Sequence, residues 1–284
     1  MKKYILHPAT FKLDGGAMFG IIPKPLWETK IQPDELNRIS MSLRVIYIEL
    51  GNKKILIDTG IGDYHSEKFN KQFDIQGTPA PLTSILQNQL SVSAEQITDI
   101  IITHLHFDHV GGLGGVDNQI IFPNATIHLH KDHYQYALSP TVRDAGSFQA
   151  HFFKPLLDAY ENMGKLNFIE GESGNIIDSD IQFKISFGHT PSMMHPIFDG
   201  CIYMADLVPM SHHINIPWVM GYDIEPGITT VYKEKFYEYI IQNNLKMIFE
   251  HDLDFYGATL MKDESGRYHI SKSFEASRDL SIEI

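Results

Sequence analysis

Cysteine is almost absent from this 284-residue chain: Cys201 stands alone, so no disulfide can close within it. A reducing, cytoplasmic setting is the simplest reading of that shortage. Long apolar runs are missing too, and none approaches the roughly 20 residues a membrane-spanning helix needs. The opening Met1-Lys2-Lys3-Tyr4-Ile5-Leu6-His7-Pro8 carries two lysines with no apolar stretch behind them, unlike a secretory signal. No segment is rich in lysine and arginine, and the formal net charge is −12. An acidic chain repels phosphate backbones, which argues against nucleic acid and leaves a small molecule as the expected partner. Internal repeats and low-complexity linkers are also lacking. The chain therefore reads as one domain over 1–284, with an N-terminal arm of about residues 1–40 and homodimerisation open. Hydrophobic residues at 43% suffice for a core, and the abundant type is histidine, with 15.

Strand and helix patterns alternate. Residues 42–50 and 54–58 read as strands around the Gly51-Asn52 turn. Asp58-Thr59-Gly60 breaks the second strand. Residues 82–91 read as a helix, and Asp99-Ile100-Ile101-Ile102-Thr103 as a short apolar strand running into His104. A glycine-rich loop follows, then a strand near 125–129 and helices near 131–138 and 149–162. Strands are expected near 166–169, 181–187, 201–205 and 246–249. Residues 228–243 form an amphipathic helix, with Val231, Phe236, Tyr239 and Ile240 as packing residues. Residues 60–80 and 207–227 lack periodicity and read as loops near a site. The pattern suggests sheets covered by helices in layers.

Chemistry concentrates in Thr103-His104-Leu105-His106-Phe107-Asp108-His109-Val110-Gly111-Gly112. His104 and His106 flank an apolar residue, so an extended chain aims both imidazoles one way. A turn then aims Asp108 and His109 at a second point. The glycines let the backbone turn tightly around ions. Nitrogen and oxygen donors without thiolate suit zinc first, with manganese, iron or cobalt as alternatives.

This segment resembles the His-x-His-x-Asp-His signature of the metallo-β-lactamase superfamily. Gly188-His189-Thr190-Pro191, Tyr203-Met204-Ala205-Asp206 and Phe249-Glu250-His251-Asp252 resemble its later elements, and Asp58-Thr59-Gly60 its upstream Asp. The resemblance implies an α+β fold, an αββα sandwich of two mixed sheets face to face with helices outside. It implies that His104, His106 and His189 bind one divalent metal, that Asp108, His109 and His251 bind a second, and that Asp206 bridges them. Asp58 would orient a ligand from behind. Ser192-Met193-Met194-His195 departs from the Gly-His that follows the proline in many members, which alters the local pocket. His128, His130, His133, His151, His212 and His213 read as ordinary strand, helix-surface or loop histidines, and Cys201 as a small core residue.

The implied reaction is hydrolysis by a hydroxide bridging two metal ions, with Asp108 moving the proton to the leaving group. Leu13 to Trp27, and Met220-Gly221-Tyr222-Asp223, resemble the quorum-quenching lactonase and methyl-parathion-hydrolase-like branch. Met18 and Phe19 would then wall a substrate pocket, and Tyr222 would donate to a substrate carbonyl. A lactonase acting on N-acyl homoserine lactones or related lactones is the first expectation. A phosphotriesterase, aryl esterase or thioesterase on the same scaffold is the alternative, and a metal-binding regulator without turnover a third.

Overall fold

A computed structural model describes residues 1–76, 82–277 and 281–284. In chain order the elements are β1 (Lys2–Asp14), α1 (Gly15–Phe19), α2 (Lys24–Trp27), β2 (Arg38–Leu50), β3 (Lys53–Ile57), α3 (Glu67–Gln72), α4 (Leu82–Leu90), β4 (Asp99–Ile102), α5 (Phe107–Val110), β5 (Thr126–His130), α6 (Lys131–Leu138), α7 (Ala150–Asn162), β6 (Leu166–Ile169), β7 (Ser173–Ile177), β8 (Ile181–Ser186), β9 (Met193–Phe198), β10 (Cys201–Tyr203), α8 (Pro226–Gln242), β11 (Lys246–Ile248), β12 (Phe255–Lys262), β13 (Tyr268–Glu275) and β14 (Ser281–Glu283). They fall into two units. The first comprises Met1–Thr10, Leu43–Glu172 and Ser277–Ile284; the second comprises Phe11–Ser42 and Ser173–Ala276.

The first unit is organised by a seven-stranded sheet of order β14-β1-β2-β3-β4-β5-β6. β2 and β3 form the expected antiparallel hairpin, whereas β3, β4, β5 and β6 run parallel. The apolar Ile100-Ile101-Ile102 run is buried throughout, as a central parallel strand requires. Leu56, Ile100, Ile102, Ile127 and Leu129 share one core with Ile85 and Leu86 of α4 and Phe153, Leu156, Leu157 and Tyr160 of α7. The α7 residues fall at i, i+3, i+4 and i+7, a single helix stripe. Chemistry in such parallel arrays gathers beyond the carboxyl ends of strands. Asp58 directly follows the end of β3, and Thr103-His104 the end of β4.

The second unit holds another seven-stranded sheet, β13-β12-β11-β10-β9-β8-β7. β8 is antiparallel to β9, β9 to β10, and β10 is parallel to β11. Hence β8, β10 and β11 point the same way, and their carboxyl ends share one edge. His189, Asp206 and His251 follow those three ends.

Two mixed sheets with helices match the expected α+β class, but several details differ from the sequence reading. The stretch after Leu13 contains two short helices that the strand and helix pattern does not include, α1 and α2: Asp14 caps α1 by accepting from the Ala17 N–H at 2.8 Å, and Pro25 sits at the start of α2. In α8 the buried stripe is Thr229, Lys233, Phe236, Tyr237 and Ile240, while Val231 is 43% exposed. β1, β7, β9 and β14 have no counterpart among the expected strands, nor does the β12–β13 hairpin, where β13 is mostly exposed and polar. Among the described residues, no helix is long and apolar enough to cross a membrane.

Candidate metal centre

In the first unit, β4 delivers His104 and the following turn delivers His106, with His104 Nε2 3.1 Å from His106 Nδ1. The ring of His109 lies 3.8 Å from that of His104, centroid to centroid. Asp108 opens the single turn of α5, one carboxylate oxygen 3.9 Å from His109 Nε2. All four are buried. Asp58 ties this loop down: its Oδ1 accepts the Thr103 N–H at 2.8 Å, and its Oδ2 accepts the Thr103 hydroxyl at 2.8 Å and contacts His109 Nδ1 at 2.9 Å. To do so Asp58 adopts φ of 57°, a left-handed conformation that Asp tolerates better than most residues.

The glycines serve a purpose other than turning around ions. Gly111 has an ordinary helical φ of −59°. A side chain there would meet the Ile61 carbonyl oxygen at 2.1 Å, because the 59–62 loop crosses the metal loop backbone to backbone. The Thr59 N–H donates to the His109 carbonyl at 2.8 Å across that crossing. His133 also departs from expectation. It is wholly buried, not on a helix surface, and its Nε2 accepts the Leu105 N–H at 2.8 Å. It therefore shapes the loop from behind.

In the second unit, Asp206 divides its carboxylate between two imidazoles. One oxygen lies 3.1 Å from His189 Nε2 and the other 3.2 Å from His251 Nε2. The opposite ring nitrogens are held as well: His189 Nδ1 is 2.9 Å from Asp223 and His251 Nδ1 is 2.8 Å from the Ser42 carbonyl. Burial would lower the His189 pKa, but Asp206 and Asp223 outweigh it and raise the group to about 9. Asp223 is not a candidate in the sequence, since a contact across 34 residues leaves no local pattern.

These spacings fit a metal ion. Two ligands at ~2.1 Å from a tetrahedral cation stand ~3.4 Å apart. The pairs at 3.1 and 3.2 Å in the two units approach that separation. Buried histidine and aspartate clusters of this make-up suit divalent cations.

The candidate substrate residues lie in the second unit. Met18 and Phe19 are buried, with Phe19 stacked on His213 at 5.0 Å and on Trp27 at 5.4 Å. His213 Nε2 donates to the Met18 carbonyl at 2.8 Å. Tyr222 is half-buried beside Asp223. His195, in the departing Ser192–His195 segment, is buried on β9 between the Ser186 hydroxyl and the Tyr203 carbonyl.

A sequence model of the metallo-β-lactamase superfamily matches residues 44–251. No curated protein matches the chain. Among solved structures, a probable metal-dependent hydrolase from Staphylococcus aureus superposes with a TM-score of 0.85 at 26% identity, covering 96% of each chain. The dizinc quorum-quenching lactonase AidC superposes at 0.72 with 22% identity, covering 95% of this chain and 94% of that one. The hydrolase AbOPH superposes at 0.75 with 19% identity, covering 98% of this chain and 94% of that one.

Proposed function

Because the chain belongs to the metallo-β-lactamase superfamily, we propose that it is a metal-dependent hydrolase that opens lactones, with N-acyl homoserine lactones as first candidates. In this reading His104, His106 and His189 hold one divalent cation, Asp108, His109 and His251 hold a second, and Asp206 serves both. The observation that carries it is the Asp206 carboxylate, one oxygen 3.1 Å from His189 and the other 3.2 Å from His251. A carboxylate divided in this way is suited to a pair of cations.

Divalent cations bound there would acidify water and polarise an ester carbonyl. The chain's own groups prepare for this. Asp58 on His109 Nδ1 and Asp223 on His189 Nδ1 leave each Nε2 as the ligand atom and fix the ring angle. Asp108 carries the proton to the leaving alkoxide as the ring opens. Tyr222 donates its hydroxyl to the substrate carbonyl. A cavity of about 280 Å³, bordered by Lys30, Gln32, Met210, His212 and His251, gives the second unit room for part of a small ligand.

The lactone preference rests on the Leu13–Trp27 and Met220–Asp223 resemblance and on the likeness to AidC, a lactonase seen with its N-acyl homoserine product. The test is a side-by-side assay of N-acyl homoserine lactones, thioesters, aryl esters and phosphotriesters on metal-supplemented protein. Lactone opening that disappears in His106→Ala is the expected result. Phosphotriester turnover without lactone turnover would replace the lactonase reading, and two bound metals with no turnover would replace the enzyme reading.

A further inference from the structure

The 204–225 segment between β10 and α8 has little regular structure of its own, only short turns at Ala205–Leu207 and Ser211–His213. It nevertheless carries Asp223 at a fixed distance from His189. Its C-terminal end is tied to the His189 strand end by the Glu225 N–H donating to the Gly188 carbonyl at 2.8 Å and the Ile224 N–H to the His189 carbonyl at 3.4 Å, and α8 supplies a further anchor. Lys233 lies on the buried stripe of α8, where an apolar residue would be the ordinary choice. Its ammonium donates to three carbonyls of that segment: Asn215 at 2.7 Å, Trp218 at 2.9 Å and Ile216 at 3.2 Å. Burying an unpaired ammonium is prohibitive, so the three charge-assisted bonds are what make the position tolerable. Burial pushes Lys233 down to about 7, and the Asp223 charge works against that shift. One turn further along α8, the Tyr237 hydroxyl donates to the Ile214 carbonyl at 3.0 Å.

The far side of the same segment is tied to the N-terminal arm. Gly221 N–H donates to the Ala17 carbonyl at 2.7 Å, and His213 holds the Met18 carbonyl. A pull on residues 215–218 is thus passed to Asp223 in one direction and to the Met18-Phe19 turn in the other.

We infer that Lys233 is a positioning residue for the metal ligand His189, acting through the 215–218 carbonyls and the Asp223 carboxylate. The inference rests on the metal-ligand role of His189 proposed above. Methionine at 233 keeps the length and apolar stem but removes every donor. The 215–218 stretch then loses its three-carbonyl anchor, Asp223 is held less firmly, and His189 with it. Losing an outer partner of a ligating histidine typically costs 10- to 100-fold in metal affinity, and about that loss is expected in Lys233→Met.

The test measures zinc affinity of the full chain by chelator competition, and the visible spectrum of the cobalt-loaded protein, in five variants. Lys233→Met and Asp223→Asn should each weaken zinc binding and alter the cobalt spectrum. The double variant should be no worse than the poorer single one, because both act on one linkage. Ile240→Val, a buried change on the same helix away from the loop, should lower stability and leave zinc affinity alone. Should Lys233→Met not fold, Tyr237→Phe carries the test, with a smaller loss in the same direction. Wild-type zinc affinity in folded Lys233→Met, or additive losses in the double variant, would overturn the inference alone. Absence of zinc from wild-type protein would overturn the metal reading and this inference with it.

Discussion

Replacing Asp58 by asparagine changes one atom of a residue that should never touch a metal. The amide keeps an oxygen for the Thr103 N–H, the 2.8 Å contact of Oδ1. It puts an NH2 group where Oδ2 met the Thr103 hydroxyl at 2.8 Å and His109 Nδ1 at 2.9 Å. Two donors then face each other unless His109 shifts its proton to Nε2, the atom needed for the metal. Hydrogen bonds to charged groups contribute about 1.5–3 kcal/mol, so the metal-free fold should weaken by roughly that amount and survive. Metal affinity should fall about 10- to 100-fold, equivalent to about 1.4–2.8 kcal/mol. Zinc titration against a chromophoric chelator, with thermal melts of the metal-free protein alongside, reads both quantities. Wild-type affinity in a folded Asp58→Asn protein would refute the assigned part of Asp58.

Gly111→Ala should be severely destabilising, beyond the about 1–3 kcal/mol usual for overpacking, because the new methyl would sit 2.1 Å from a backbone oxygen; denaturant melts check this. His133→Ala leaves the Leu105 N–H without its 2.8 Å acceptor and should cost about 1–3 kcal/mol in the same melts. His189 is raised from 6.5 to about 9, so its protonation stabilises the metal-free fold fully below 6.5 and that contribution is lost as pH climbs through about 9. The metal-free protein should therefore melt lower on the alkaline side. Zinc uptake near neutrality should release a proton from this pair, visible as a buffer-dependent heat in calorimetry.

Much of the framework was legible because it rests on local pattern. The Asp99–Ile102 run could only be a buried strand, and its abrupt end at His104 marked the metal loop. The α7 stripe and the three later strand ends were readable for the same reason. What escaped depended on distant partners. Asp223, His133 and Lys233 work through contacts across 34, 28 and 15–18 residues, which no window of sequence displays. Lysine is a type expected on a solvated helix face and valine a type expected in the core, yet the rotation of α8 buries Lys233 and exposes Val231. The glycines at 111 and 112 stand out in the sequence, but their reason is a backbone crossing with residues 59–62 that topology alone creates. The Asp14 cap and the proline of α2 did carry a helix signal, overshadowed by the glycines of the arm.

Metal content tests the central claim most directly. After zinc loading and exhaustive dialysis, elemental analysis of the wild-type chain should find two zinc ions per polypeptide, and Asp206→Asn should retain fewer under identical treatment. A wild-type chain that keeps none, or an Asp206→Asn chain that keeps both as firmly as the wild type, would contradict the account.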